Sequence, residues 1–415
     1  MKAIRGFSDV PPEEAWKYNY IEELAREHFQ KYGYREVRLP VVEATELFAR
    51  GIGTATDIVE KEMYTFLDRN GQSLTLRPEG TASAVRAYLE GGWKSWGGIA
   101  KIFYTGPMFR YERPQKGRYR QFYQMGLEAI GAGHPEVDGE VVALLHRLFL
   151  RLGVEDITIL INSLGCPVCR PSYRSELVGF LQDLAEELCS NCRKRIEKNP
   201  LRILDCKVPT CRENLSDVPV MIDHLCGECS HHFERVRYCL DGLDVPYAID
   251  PKIVRGLDYY NRTAFEAICG RLGSQNAVAA GGRYDGLARE IGGDVPGIGF
   301  AMGIERLRLV MEWKGLHIPL PEFYVASATE NARLTAMTIA DKLRSMGSRV
   351  ETDLETRSLK AQLRSANRMN IRTVVIVGDD EIAKGTVICK DFSNNTQQEI
   401  PLDELFSKTA AVNRR

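Results

Sequence analysis

The chain has 415 residues, 44% of them hydrophobic and 27% charged, with a formal net charge of -1. That length suits two or three domains, and the composition is that of an ordinary globular chain rather than a disordered or fibrous one. Near-neutral charge excludes a strongly basic, non-specific nucleic-acid binder but leaves room for local basic faces.

No apolar run approaches the roughly 18–20 residues that span a bilayer. The first residues, MKAIRGFSDVPPEE, carry no apolar segment of a secretory leader. A cytoplasmic protein is therefore expected, and its eleven cysteines are not expected to form a disulfide framework.

In chain order, the spacing of Trp16, Tyr20, Ile21, Leu24, Ala25 and Phe29 predicts an amphipathic helix over 12–32. Pro11 and Pro12 suit its start and Gly33 its end. A short strand, Glu36 to Leu39, follows and stops at Pro40. Residues 101–112 and 119–131 read as an antiparallel hairpin whose long basic tip is Arg113 to Arg118. A helix is expected over 136–152. The stretch 165–245, rich in cysteine and charge, reads as an insertion. Strands and glycine-rich turns return over 253–310, with a helix from Gly303. After a linker from His317 to Pro321, strands and helices alternate: FYVASA, a helix over 331–346, RVETD, a helix over 357–370 and TVVIVG. That order predicts a small α/β domain with a mostly parallel sheet.

Four segments carry chemistry. In the hairpin FRYERPQKGRYRQFYQMGLEAIG, side chains two apart share a face, so Phe122, Gln124 and Glu128 point one way, as do Arg110 and Glu112. A core strand tolerates that mixture only where it lines a polar pocket; a solvated hairpin with surface ion pairs is the plainer reading. The loop cations Arg113, Lys116, Arg118 and Arg120 suit polyphosphate. In LRPEGT, Glu79 and Thr81 offer a carboxylate and a hydroxyl to an ammonium group, or Thr81 caps a helix. In IVRGLDYYNRTAFE, Arg255 stands where it can meet a developing phosphoryl charge or pack on aromatic rings. AAGGRYDGL and GIGFAMGIERL bring glycines for close approach and Arg306 in a first helical turn, within reach of a phosphate or exposed to solvent. GIGFAMG does not match the dinucleotide fingerprint, and no P-loop motif occurs.

Together and in this order, these segments resemble the histidyl-tRNA synthetases. FRYERPQKGRYRQF is similar to the class II motif 2, GIGFAMGIERL to motif 3, and the 12–32 helix with the strand into Pro40 to motif 1, a dimer-interface element. VRGLDYYNRTAFE and AAGGRYDGL are similar to the family's two histidine-specific peptides.

The resemblance covers nearly the whole chain. It implies an α+β class II catalytic domain over 1–320, an antiparallel sheet flanked by helices, interrupted by the helical cysteine-rich insertion at 165–245. A C-terminal α/β anticodon-binding domain would occupy 321–415. It implies a homodimer that takes L-histidine, ATP with Mg²⁺, and the histidine tRNA. ATP would be held by Arg110, Glu112, Arg118, Phe122 and Arg306, with Arg110 on the α-phosphate and Phe122 on adenine. Histidine would be held by Glu79 and Thr81 at its ammonium, by Glu128 and Tyr260 at the imidazole, and by Gln124, Tyr259 and Arg255. Arg255 and Arg110 would stabilise phosphoryl transfer. In the C-terminal domain, Arg357, Lys360, Arg364 and Arg368 fall on one helical face opposite Leu359 and Leu363, which suits RNA phosphates or plain solvent. Regulatory subunits of histidine biosynthesis share this catalytic fold, but they lack the C-terminal domain and keep eroded peptides.

The cysteines depart from the family pattern. Cys166-Pro-Val-Cys169 and Cys189-Ser-Asn-Cys192 match the spacing of tetrahedral zinc sites, and Cys206 and Cys211 with Cys226-Gly-Glu-Cys229 offer a second set. The order leaves the pairing open: cross-pairing is equally possible, and His231 or His232 can replace a thiolate. A structural zinc would hold together an insertion too short for a large core; free buried thiols or a redox role are the alternatives.

Overall fold

Pro12 opens helix α1 (Pro12–Lys31), where its missing N–H is not needed, and Glu13 and Glu14 complement the helix dipole in the first turn. The helix stops at Tyr32, and Gly33 turns the chain with φ +81°. The structure is a computed structural model that describes residues 1–53, 56–273, 276–316, 318 and 320–413. Of the expected linker, His317 and Pro319 lie outside the described residues. The chain divides into two compact units, Met1–Glu312 and Trp313–Arg415.

In the first unit the strands are β1 (Arg35–Glu36), β2 (Val42–Ala44), β3 (Tyr64–Leu67), β4 (Ser73–Leu76), β5 (Ala100–Phe109), β6 (Gln121–Ile130), β7 (Ile157–Ser163), β8 (Tyr247–Ile249), β9 (Asn261–Cys269), β10 (Ala277–Arg283) and β11 (Gly297–Gly303). One sheet runs β1-β5-β6-β11-β10-β9-β7-β8, and β2-β4-β3 form a smaller one. The pairs from β5 to β7 along the large sheet are antiparallel, and only its edge strands β1 and β8 add in parallel. The strand expected over Glu36 to Leu39 is confined to Arg35–Glu36. One further bond follows, from the Val37 amide to the Phe103 carbonyl at 2.8 Å, before the chain leaves the sheet.

Helices α2 (Thr45–Ile52), α3 (Thr81–Glu90) and α4 (Pro135–Arg151) complete the frame before the insertion. Along β6, Met125, Leu127 and Ala129 are buried, and by the two-residue period of a strand they face away from Gln124 and Glu128. The apolar stripes of α1 and α4 cover that side; Phe29 of α1 meets Phe103 and Phe300 with ring centroids 5.3 and 6.1 Å apart. Each such ring or leucine, taken fully out of water, contributes about 1.5–3 kcal/mol. The opposite face of the sheet is left for polar chemistry.

The insertion is helical: α5 (Arg170–Asp183), α6 (Ser190–Lys198), α7 (Pro209–Asn214) and α8 (Gly227–Gly242). Its core is small and contains the thiols of Cys166, Cys169, Cys192, Cys211 and Cys229 among its buried groups. Helix α8 ties it to the frame. His232 meets the buried Asp138 carboxylate of α4 at 2.9 Å, and Thr263 donates to it at 2.6 Å. Arg283, itself fully buried, completes the ion pair. After the insertion come α9 (Leu287–Glu290) and α10 (Ile304–Val310).

The second unit contains β12 (Phe323–Ser327), α11 (Arg333–Ser345), β13 (Val350–Thr352), α12 (Leu359–Arg368), β14 (Thr373–Val377), α13 (Asp379–Lys384), β15 (Thr386–Asp391), β16 (Thr396–Pro401) and α14 (Leu402–Asn413). The sheet order is β13-β12-β14-β15-β16. The first three strands are parallel, as the alternation predicts. The sheet is nevertheless mixed, because the β15–β16 hairpin adds antiparallel to β14. Helix α12 begins at Leu359, so Arg357 lies before it and bonds Asp353 at 2.6 Å. Lys360, Arg364 and Arg368 stay exposed, while Leu359 and Leu363 pack inward.

Candidate active site

The polar face of the large sheet forms the floor of a cavity of about 480 Å³. Beneath the lining residue Thr81 lies Glu128 on β6, with no exposure to solvent. Its carboxyl accepts hydrogen bonds from Thr81 Oγ1 at 2.8 Å, Tyr104 OH at 3.1 Å and Tyr284 OH at 2.7 Å. Burial pushes it up to about 8, although these three donors pull the other way. Room for this cluster comes from glycine. A Cβ at Gly126 would sit 2.2 Å from the Tyr104 ring, and one at Gly299 would sit 1.8 Å from Glu128 Oε2. The space at Gly299, in the glycine-rich GIGFAMG strand, is filled by the carboxyl of Glu128.

The turn LRPEGT supplies the next layer. Glu79 accepts the amides of Thr81 and Ala82 at 2.6 and 2.9 Å, so it is Glu79 that caps α3. The cap expected from Thr81 is corrected: its hydroxyl turns to Glu128, because Gly80 is the residue preceding the helix. Tyr259 OH reaches Glu79 at 3.5 Å, and the Tyr259 and Tyr260 rings lie 4.6 Å apart. Burial raises the Glu79 carboxyl above its usual range.

Arginines converge from three elements. Arg255, before β9, donates to Glu266 at 2.7 Å and lies 5.1 Å over the Tyr260 ring. Arg110 leaves β5, donates to the Pro78 carbonyl at 2.8 Å and stands 5.5 Å over Phe122. Arg118, in the hairpin tip, pairs with Glu112 at 3.1 Å. Arg306, in the first turn of α10, lines the same cavity. Burial and then the Arg118 charge pull the Arg306 guanidinium down. Among the described residues, two buried polar atoms, Gln124 Oε1 and Arg255 Nε, have no hydrogen-bond partner. Both residues line this cavity, so each offers a polar atom to a ligand held there.

The structure therefore brings Glu79, Thr81, Arg110, Glu112, Arg118, Phe122, Gln124, Arg255, Tyr259, Tyr260 and Arg306 around one cavity, with Glu128 just beneath Thr81. Sequence reading missed Tyr104, Tyr284 and Glu266, the partners of Glu128 and Arg255. Tyr284 and Glu266 stand inside the quoted peptides, but nothing local marks what they touch. Also unforeseen are Asp57 and the insertion residues Arg202, Asp205 and Lys207 at the cavity wall. The hard carboxylate oxygens of Glu112 and Glu62, also on this wall, suit a Mg²⁺ ion carried in by a polyphosphate.

The eight insertion thiols fall into two clusters, Cys166, Cys169, Cys226 and Cys229, and Cys189, Cys192, Cys206 and Cys211. Within each, the sulfurs lie within 4.8 Å of one another. No disulfide forms among the described residues. The backbone amide of Cys192 aids in lowering the Cys189 thiol to about 7. The expectation that His231 or His232 replaces a thiolate is corrected: His231 is exposed and His232 is turned to Asp138, because the face of α8 that carries His232 packs against the catalytic frame.

Family models match the chain twice: one described as histidyl-tRNA synthetase over residues 6–307, and one described as anticodon binding domain over 322–411. The chain is 49% identical over 401 residues to a histidine–tRNA ligase of Trichlorobacter lovleyi, covering 96% of each chain. It is 47% identical over 408 residues to that of Caldanaerobacter subterraneus, covering 97% of this chain and 98% of the relative. The crystal structure of the apo histidyl-tRNA synthetase of S. aureus superposes with a TM-score of 0.82 at 34% identity, covering 99% of this chain and all of that one.

Proposed function

The chain belongs to the histidyl-tRNA synthetase family and acts as a histidine–tRNA ligase, and from that premise we propose how its cavity does so. The observation that carries the reading is the set of groups gathered at one cavity. The buried carboxyl of Glu79 and the hydroxyl of Thr81 line the same cavity as Arg110, Arg118, Arg255 and Arg306, and Glu128 lies buried behind Thr81.

Histidine enters with its imidazole toward Glu128 and Tyr260 and its ammonium toward Glu79 and Thr81. An apolar analogue would leave buried polar groups unpaired, which is how such a pocket rejects it. ATP lies with adenine against Phe122 and its phosphates among Arg110, Arg118 and Arg306, Glu112 orienting Arg118. Gln124 and Tyr259 close the amino-acid pocket. The histidine carboxylate attacks the α-phosphorus, a new P–O bond forms, and the bond to pyrophosphate breaks. Arg255 and Arg110 stabilise the charge that builds on the α-phosphoryl oxygens. Positioning and preorganised charge supply the acceleration. Glu62 and Glu112 would hold Mg²⁺, and the ion would supply neutralising charge to the leaving pyrophosphate. The terminal ribose hydroxyl of the tRNA then attacks the adenylate carbonyl and expels AMP.

We assign 1–320 to the catalytic domain, with 165–245 as its insertion, and 321–415 to the anticodon-binding domain. The homodimer rests on the resemblance of α1 and β1 to motif 1. Among the described residues no helix is long and apolar enough to cross a membrane, and the reaction belongs in the cytoplasm with translation. The thiol clusters are read as structural zinc sites, the chemistry that thiolate groups of four select.

The experiment is amino-acid-dependent ATP–pyrophosphate exchange, run with each of the twenty amino acids. Exchange with histidine alone supports the assignment. Exchange with another amino acid, or none from folded protein with Mg²⁺, overturns it.

A further inference from the structure

The two thiol clusters are not consecutive in sequence. The first two CxxC pairs have the spacing of a single site, yet the fold separates them. Cys166 and Cys169, at the start of α5, meet Cys226 and Cys229, at the start of α8. Cys189 and Cys192, at the start of α6, meet Cys206 and Cys211. One cluster is nested inside the other.

The geometry within each cluster fits a tetrahedral ion. Cys166 Sγ lies 3.6 Å from Cys169 Sγ and 3.9 Å from Cys226 Sγ. Zinc–sulfur bonds of roughly 2.3 Å at tetrahedral angles put sulfurs about 3.8 Å apart, whereas a disulfide needs about 2.05 Å. Backbone amides already point at the sulfurs: Cys226 N–H donates to Cys169 Sγ and Cys189 N–H to Cys211 Sγ, each at 3.1 Å. Such bonds stabilise thiolates and orient them.

The inner cluster brackets a segment that reaches the active site. Between Cys192 and Cys206 the chain carries Arg195 and Arg202, which bond Asp57 Oδ2 at 2.9 and 3.4 Å. Asn199 donates to Asp258 at 3.3 Å. Arg202, Asp205 and Lys207 then line the cavity beside Asp57 and Ile58. The outer cluster reaches the frame elsewhere: Arg170, which follows Cys169, donates to the Leu164 carbonyl at 3.2 Å and to the Tyr260 carbonyl, while Asp57 is met from the inner segment.

Resting on the zinc reading above, we infer that the insertion binds two zinc ions in nested sites, and that the inner ion clamps the 192–206 segment as one wall of the active site. The outer ion joins the two ends of the insertion; the inner ion fixes Arg195 and Arg202 against Asp57.

The test starts with zinc content of the purified full chain and of two double variants. The wild type should hold two zinc ions, one per cluster. Nested sites predict that Cys189→Ser with Cys211→Ser loses one ion, and that Cys166→Ser with Cys189→Ser loses both. Consecutive sites predict the reverse. If a variant fails to fold, partial zinc removal from the wild type by a mercurial reagent, followed by alkylation and peptide mapping, reads the same pairing. Cysteines of one site must become reactive together. The second readout is amide hydrogen exchange: loss of the inner ion should speed exchange of residues 56–62 on the order of tenfold, and a third variant, Cys166→Ser with Cys226→Ser, which removes only the outer ion, should not. Folded wild type without metal overturns the zinc reading and this inference together. The consecutive pattern overturns the nested pairing alone. Nested pairing with unchanged exchange at 56–62 overturns the clamp alone.

Discussion

Gly299 and Glu128 face each other across the β11–β6 ladder, and the space a Cβ would take at 299 is held by the Glu128 carboxyl, 1.8 Å from that position. Gly299→Ala should therefore push the carboxyl off its partners Thr81, Tyr104 and Tyr284. A displacement of this size is expected to lower kcat/KM for histidine by roughly 10²-fold while KM for ATP stays near wild type. Steady-state exchange kinetics check this, and an unchanged kcat/KM for histidine would contradict it.

Glu128→Gln separates binding from stability. Burial holds the folded carboxyl near 8, against 4.5 for an unperturbed one. Between those values the folded chain keeps a proton that the unfolded chain has lost. The wild type should therefore lose stability relative to the Gln variant as pH rises from about 5 to 8. The variant should also lose histidine-dependent exchange. Tm curves of the two proteins that run parallel across this range would sink the prediction.

Arg255→Ala should leave histidine binding near normal and slow adenylate formation by roughly 10²–10³, as when an oxyanion donor is lost. Single-turnover kinetics with separate histidine binding measure both. Equal losses in the two would mean that Arg255 serves binding, through Glu266 and Tyr260, and not the transition state.

Arg283→Met removes the cation from a fully buried pair and leaves Asp138 charged beneath His232 and Thr263. Breaking such a pair is expected to cost about 3–5 kcal/mol, read as a lower urea midpoint. Adding Asp138→Asn should restore part of it. A single variant as stable as wild type would show that the pair contributes little.

On α12, Lys360→Glu with Arg364→Glu and Arg368→Glu should raise KM for tRNA by roughly tenfold or more and flatten its salt dependence. Exchange without tRNA should not change. Unaltered charging would make that face simply solvated.

The sequence by itself determined the β5–β6 hairpin, because a two-residue period and a Pro/Gly-rich tip are local signals. Its distinctive peptides named Arg110, Arg118, Arg255 and Arg306 with Glu79 and Gln124, which the structure gathers around one cavity, and Glu128, which lies behind Thr81. The sequence also marked the insertion as cysteine-rich, with CxxC spacings that suit a metal. What it left open were the partners. Tyr104 and Tyr284 reach Glu128 from positions 24 and 156 residues away, and Arg255 meets Glu266 only because β9 runs back past it. The cysteine spacing even favoured the wrong grouping as readily as the right one. Periodicity and spacing report which way a side chain faces on its own element. Which residue waits on the other side depends on sheet order and on how the insertion folds back, and only the tertiary structure decided that.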